Sequence, residues 1–169
     1  MRYLKLFESF EDIKEICKQY NITDYTINTD GSIDVDEDVN LDYLRLTKLP
    51  LKFNKINGYF DCCNNELISL EGSPVEVNGY FDCSYNNRYV CGYSYNNLTS
   101  FEYAPRIIRG DFICNDNNIK TFEYFPSFIK DDFICNNNPI YEVWNLFLDI
   151  SKIELLNDFD IFRDEDTDE

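Results

Sequence analysis

The chain has 169 residues, 32 of them acidic, 15 basic and none histidine, for a formal net charge of −17. Without histidine the usual general base and commonest metal ligand are missing. So acidic a chain lacks the basic surface that direct binding to nucleic acid or an anionic membrane requires.

The length fits one domain. With neither a secretory leader nor an apolar run long enough to span a bilayer, the expectation is a cytoplasmic protein. The first expected element is a helix, because Phe7, Phe10, Ile13, Ile16, Cys17 and Tyr20 recur every three or four residues. Ser9 is placed to cap its start, with Asp12 three residues on, and Asn21 to stop it. NTDGS, between Ile27 and Ile33, reads as a hairpin turn. Residues 1–37 are therefore expected to form an N-terminal helix-and-hairpin cap. In DVDEDVNLD, Asp34, Asp36 and Asp38 imitate the opening of a calcium loop, but Val39 and Arg45 occupy its glycine and glutamate positions. The other reading is a strand with Ile33 and Val35 inward and the acids outward.

A repeat follows. GYFDCCNNELISLEGSPVEVN begins at Gly58, and its opening returns at Gly79 (GYFDCS), Gly110 (GDFICN) and Asp131 (DDFICN). The intervals are 21, 31 and 21 residues, so one unit carries an insertion near residues 88–95. Counting back 21 residues from Phe60, Cys62, Leu67 and Leu70 lands on Val39, Leu41, Leu46 and Leu49, all apolar. A fixed period of this length means a solenoid, here of about five coils over residues 38–143.

Within a unit, Phe60 and Cys62 are two residues apart and share one face of a short strand. Asn65, Asn86, Asn117 and Asn138 share a position where an amide can bond the backbone as the coil leaves its strand. Pro74, Pro105 and Pro126 share another and mark the return segment. Cys62, Cys83, Cys114 and Cys135 also share one slot, so they are expected as a buried, reduced ladder. Cys63 follows Cys62 and is expected to point outward as an exposed thiol. The seven cysteines include no C-x-x-C pair, which gives little support to a tetrahedral zinc site. After the repeats, Val143, Leu146, Phe147, Ile150 and Ile153 recur at helical spacing and predict a C-terminal helix cap over 144–162. RDEDTDE, residues 163–169, reads as a frayed acidic tail.

The spacing Phe60, Cys62, Asn65, Leu67, Leu70 matches the leucine-rich-repeat phrase L-x-L-x-x-N-x-L. Together with TINTDGSIDVDEDVNL, LTKLPLKFNKINGYFDC and the NNLTSFEYAP type of unit, it resembles leucine-rich-repeat-like proteins encoded by large tailed bacteriophages. The resemblance spans residues 1–143 and departs from the family in the insertion and in the loss of leucine from most strand slots. It implies an α+β solenoid: a leucine-rich-repeat-like parallel strand ladder with a helical cap at each end.

Catalytic chemistry finds no foothold. Nothing resembles a nucleophile elbow, a P-loop or a dinucleotide fingerprint, and no cofactor or resident metal is expected. Glu71, Glu102 and Glu123 recur because the unit recurs and read as a solvated acidic ridge.

The informative surface is the outward strand face, whose residues alternate with the buried Phe and Cys. It comprises Tyr59, Asp61, Cys63, Tyr80, Asp82, Asp111, Ile113, Asp132 and Ile134, flanked by Asp38, Asn40, Asp42, Ser84, Asn115 and Asn136. Tyrosine is enriched at protein interfaces, and an acidic face bearing Tyr and Ile fits a basic protein partner. The resemblance sharpens this expectation to a non-enzymatic inhibitor of a host nucleic-acid-binding or defence protein, such as a CRISPR nuclease, acting in the infected bacterial cytoplasm. A structural or assembly protein of the phage particle is the alternative.

Overall fold

The computed structural model describes residues 10–84 and 97–141. Helix α1 (Phe10–Gln19) and a hairpin of β1 (Tyr25–Ile27) and β2 (Ile33–Val35) come first. Nine short strands follow: β3 (Val39–Asn40), β4 (Phe53–Ile56), β5 (Phe60–Asp61), β6 (Glu76–Val77), β7 (Phe81–Asp82), β8 (Ile107–Ile108), β9 (Phe112–Ile113), β10 (Phe128–Ile129) and β11 (Phe133–Ile134). They build a β-solenoid of about four turns with two ladders and little helix, one turn fewer than the repeat count predicts.

The expected ladder is β3-β5-β7-β9-β11, parallel throughout, with Phe60 beside Phe81, Phe81 beside Phe112 and Phe112 beside Phe133. Stacking the phenylalanines brings successive rings to 5.7, 5.7 and 5.4 Å. Such pairs add roughly 0.5–1.5 kcal/mol each beyond their burial. Two residues on, Leu41, Cys62, Cys83, Cys114 and Cys135 are all buried, and the four thiols are free. Burial drives the pKa of Cys62, Cys83 and Cys114 far above that of an ordinary thiol, so they behave as small hydrophobes.

The second ladder is absent from the sequence reading. It runs β2-β4-β6-β8-β10 in parallel, with β1 closing its edge antiparallel to β2. Its inward column is Val35, Ile56, Val77, Ile108 and Ile129, of which the first four are 0–1% exposed. Phe53 and Phe60 meet edge to face at 5.0 Å, so both ladders close on one core.

Between the ladders the chain turns a sharp corner. A Cβ on Gly79 would lie 2.8 Å from Tyr59 N, and one on Gly110 2.7 Å from the Gly79 carbonyl carbon, so these coils approach as closely as only glycine permits. At the other end of the strand, the asparagine column satisfies the backbone. Asn65 Nδ2 donates to the carbonyls of Leu41, Cys62 and Cys63, while its Oδ1 accepts from Leu44 and Leu46 N–H. Asn117 and Asn138 repeat the pattern. These are the bonds expected of that position, and they make a buried polar residue affordable.

The insertion leaves both ladders in register. Glu76 pairs with Ile107 and Phe81 with Phe112, across the longer interval. The extra residues therefore enter between Ser84 and Asn97, and residues 88–95 lie outside the described part of the chain, as do the predicted C-terminal helix and acidic tail.

Helix α1 buries Ile13 and Cys17 in the core, and Asn21, two residues past its end, has the φ of 57° that fits the predicted stop. Phe10, expected on the buried face, is 58% exposed. The NTDGS turn joins Ile27 to Ile33 as read. Ile33 and Val35 are buried, and the three alternating aspartates of DVDEDVNLD each bond a neighbouring segment: Asp34 accepts from Asn28 and Asn54, Asp36 from Asn57, and Asp38 from Tyr59 N–H.

Candidate partner-binding face

Coil stacking turns the predicted face into three columns on the β3-β5-β7-β9-β11 ladder. The first holds Asp38, Tyr59, Tyr80, Asp111 and Asp132, and the second Asn40, Asp61, Asp82, Ile113 and Ile134. The third holds Asp42, Cys63, Ser84, Asn115 and Asn136. Six carboxylates and no lysine or arginine stand in these columns.

Side-chain carboxyls and amides tie the columns to the backbone. Asp61 Oδ1 accepts from Cys63 N–H at 3.0 Å, and Asp82 Oδ1 from Ser84 N–H at 2.8 Å. Along the stack, Asp111 Oδ1 accepts from Asp132 N–H at 3.0 Å and Asn115 Oδ1 from Asn136 N–H at 2.7 Å. These bonds hold the side chains still, so the entropic cost of binding through them is lower.

Tyr59 and Tyr80 stack face to face, with centroids 4.6 Å apart and planes 6° from parallel. Partial burial raises both phenol pKa values, helped at Tyr59 by Asp38 and at Tyr80 by Asp61. Both therefore remain neutral and present an amphipathic pair. Ile113 and Ile134 sit side by side, half-buried, on the last two rungs.

Three positions read as outward differ from expectation: Ser84 is 1% exposed, and Cys63 and Asp82 are buried too. Cys63 is 4% exposed, not an exposed thiol. Alternation predicts direction only while the strand lasts, and β5 ends at Asp61. The chain then turns through Asn64 at φ 54° and tucks Cys63 in, where its Sγ accepts from Asn64 Nδ2 at 2.9 Å. Burial, then the neighbouring Asp61 charge, pushes the Cys63 pKa well up, so the thiol stays protonated at neutral pH. Asp82, expected as a solvated acid, is 9% exposed. Desolvation, reinforced by Asp61, overrides the Ser84 N–H bond and the nearby Ser84 side chain and pushes it up to about 6. Asp42 is also raised, by burial first and Asp61 second.

The structure thus gathers Asp61, Cys63 and Asp82 into a cluster whose donor atoms lie within 4.8 Å of one another. The sequence reading placed all three on one face but did not see them as a group, since strand spacing carries no information on cross-rung side-chain approach. It also missed a second aromatic feature. Tyr103 and Tyr124 are exposed, at φ 67° and 63°, in the turn where an earlier coil has Gly72, and they interleave with the exposed Glu71, Glu102 and Glu123. The shared turn position of glycine and tyrosine was the signal available.

Comparison with family models, with curated proteins and with solved structures found no match.

Proposed function

We propose that this chain is a non-enzymatic binding module that occupies the basic surface of a partner protein through its β3-β5-β7-β9-β11 face. The observation that carries the reading is the stacked Tyr59–Tyr80 pair, set among six carboxylates with no cationic side chain in the same columns. Carboxylates steer a basic partner and fix its orientation. Rigid tyrosines and the Ile113–Ile134 pair supply the dry contacts that slow its departure. A nucleic-acid-binding protein offers such a basic surface, and an acidic module seated there excludes nucleic acid. The specific reading is an inhibitor of a host nucleic-acid-binding or defence protein, for example a CRISPR nuclease, working in the cytoplasm of an infected bacterium.

The finer description of the fold belongs to the same proposal. The asparagine column and the 21-residue unit support a leucine-rich-repeat-like solenoid, with α1 and the hairpin closing one end. A helix over 144–162 would close the other.

Surface-plasmon kinetics against the captured partner, at two salt concentrations, test the binding reading. Asp111→Asn with Asp132→Asn should slow association and flatten its salt dependence. Tyr59→Ala with Tyr80→Ala should speed dissociation at both salts. Wild-type kinetics for both pairs would refute the face as the site. Loss of binding confined to variants of the 88–95 insertion or the acidic tail would place it elsewhere. Self-association of the pure protein in place of partner binding would favour the assembly role.

A further inference from the structure

We propose that Asp61, Cys63, Asp82 and the Ser84 hydroxyl form a site for one divalent transition-metal ion of borderline softness, with zinc as the type.

Three of the donors come together across two adjacent rungs. One oxygen of each carboxylate and the Cys63 sulfur lie within 4.8 Å of one another. Zinc bonded to oxygen and sulfur at its usual lengths holds tetrahedral donors roughly 3.3–3.7 Å apart. Small side-chain rotations therefore bring the donors onto an ion. The remaining bonds leave room for this. Asp61 and Asp82 each use Oδ1 to accept a backbone N–H two residues on, which fixes the carboxylates while each keeps lone pairs for an ion. Asn64 Nδ2 donates to the Cys63 sulfur at 2.9 Å, the kind of supporting bond that orients a metal-bound thiolate.

Ser84 is the independent observation. It occupies the position one rung from Cys63, since Cys62 N–H bonds the Asp82 carbonyl and Asn64 N–H the Ser84 carbonyl. Its side chain is 1% exposed and turned toward the Asp82 carboxylate, yet its hydroxyl makes no hydrogen bond of proper geometry. A buried hydroxyl without a partner costs free energy, and a metal ion here would accept its oxygen as a fourth donor. The charge balance points the same way. Two carboxylates and an ionisable thiol are packed together, and every ion pair formed among the described residues lies elsewhere. One sulfur among oxygens favours zinc, cobalt or cadmium over magnesium and calcium, which prefer oxygen alone. Binding exchanges the thiol proton for the metal and releases that proton to solvent.

Cobalt(II) reports on such a site directly. Chelator-stripped, reduced full-length protein titrated with cobalt(II) should develop a thiolate-to-metal charge-transfer band in the near ultraviolet, saturating at one equivalent and displaced by zinc. Cys63→Ser should abolish the band, while Cys135→Ser and Cys91→Ser should keep it. Asp61→Asn with Asp82→Asn should weaken binding by at least about tenfold while melting no lower than wild type without metal, so it decides the matter if Cys63→Ser fails to fold. No band, a band that survives Cys63→Ser, or wild-type affinity in the double carboxylate variant would overturn the proposal. The partner-kinetics variants at Asp111 and Asp132 leave this cluster intact, so the two proposals fail separately.

Discussion

Glu76 and Asp82 lie six residues apart on one coil, each on a central strand of its own ladder. Glu76 is met by Lys55 from the preceding coil, at 3.9 Å, and by Arg109 from the following one, at 3.2 Å. Asp82 has Asp61 as its rung neighbour on one side and Ile113 on the other. The coils and the core are shared, so the difference belongs to the outer surfaces alone. On the β2-β4-β6-β8-β10 ladder, repeating the unit places unlike charges on adjacent rungs and neutralises them. On the other ladder it places like charges and tyrosines together and leaves the charge standing. Stacking amplifies whatever one unit presents, and only the second pattern gains something from a partner or a cation.

The largest disturbance removes the comparison altogether. Leu67 is fully buried beneath both ladders' common core. Leu67→Asp should leave the chain unfolded at neutral pH, because an unpaired buried charge costs as much as a domain's whole stability. A wild-type far-ultraviolet melting curve would show that the register is wrong.

Asp82→Asn sharpens the contrast from the anionic side. In the metal-free folded protein Asp82 titrates near 6, against 3.8 for an ordinary aspartate. The folded state therefore binds its proton more tightly. The stability this confers is complete below pH 4 and is lost as pH rises through 6. The shift corresponds to about 3 kcal/mol. Asparagine keeps an oxygen for Ser84 N–H, so in chelator-treated protein the variant should unfold at higher urea than wild type above pH 7. The two should converge toward pH 4. A variant less stable than wild type at pH 8 would contradict the burial assigned to Asp82.

Next in size is the Tyr59→Ala, Tyr80→Ala pair, which should weaken partner binding by about 2 kcal/mol or more, the range of interface hot spots. Glu76→Gln should do least. Its ion pairs are surface pairs, with Lys55 and Arg109 roughly half exposed, and exposed pairs contribute under about 1 kcal/mol. It should melt close to wild type and bind the partner unchanged. A loss of binding there would erase the distinction between the two faces.

Particular residues show what the sequence made legible. The Phe-x-Cys ladder, the asparagine column and the hairpin were readable because each repeats at a fixed interval or carries its own turn chemistry. The second ladder was equally periodic, in Ile56, Val77, Ile108 and Ile129, but its inward column rests on one apolar residue per coil. It precedes a glycine corner and was absorbed into the return segment. Cys63 was misplaced because alternation was extended past a two-residue strand. Asp82 was placed on the correct face but not at its depth, since alternation gives direction and not burial. The Asp61–Cys63–Asp82 cluster needed coordinates, because it depends on which side chains lean together across a rung.

Ile107 and Ile113 offer the most direct test. Both are half-buried and point outward from one coil, Ile107 on the charge-neutralised ladder and Ile113 on the acidic one. A photo-crosslinking amino acid placed at each position in turn, in cells containing the partner, reports which face is covered. Crosslinks to one basic protein from position 113, fading with added salt and absent from position 107, are the predicted result. Crosslinks from position 107 alone would contradict the account.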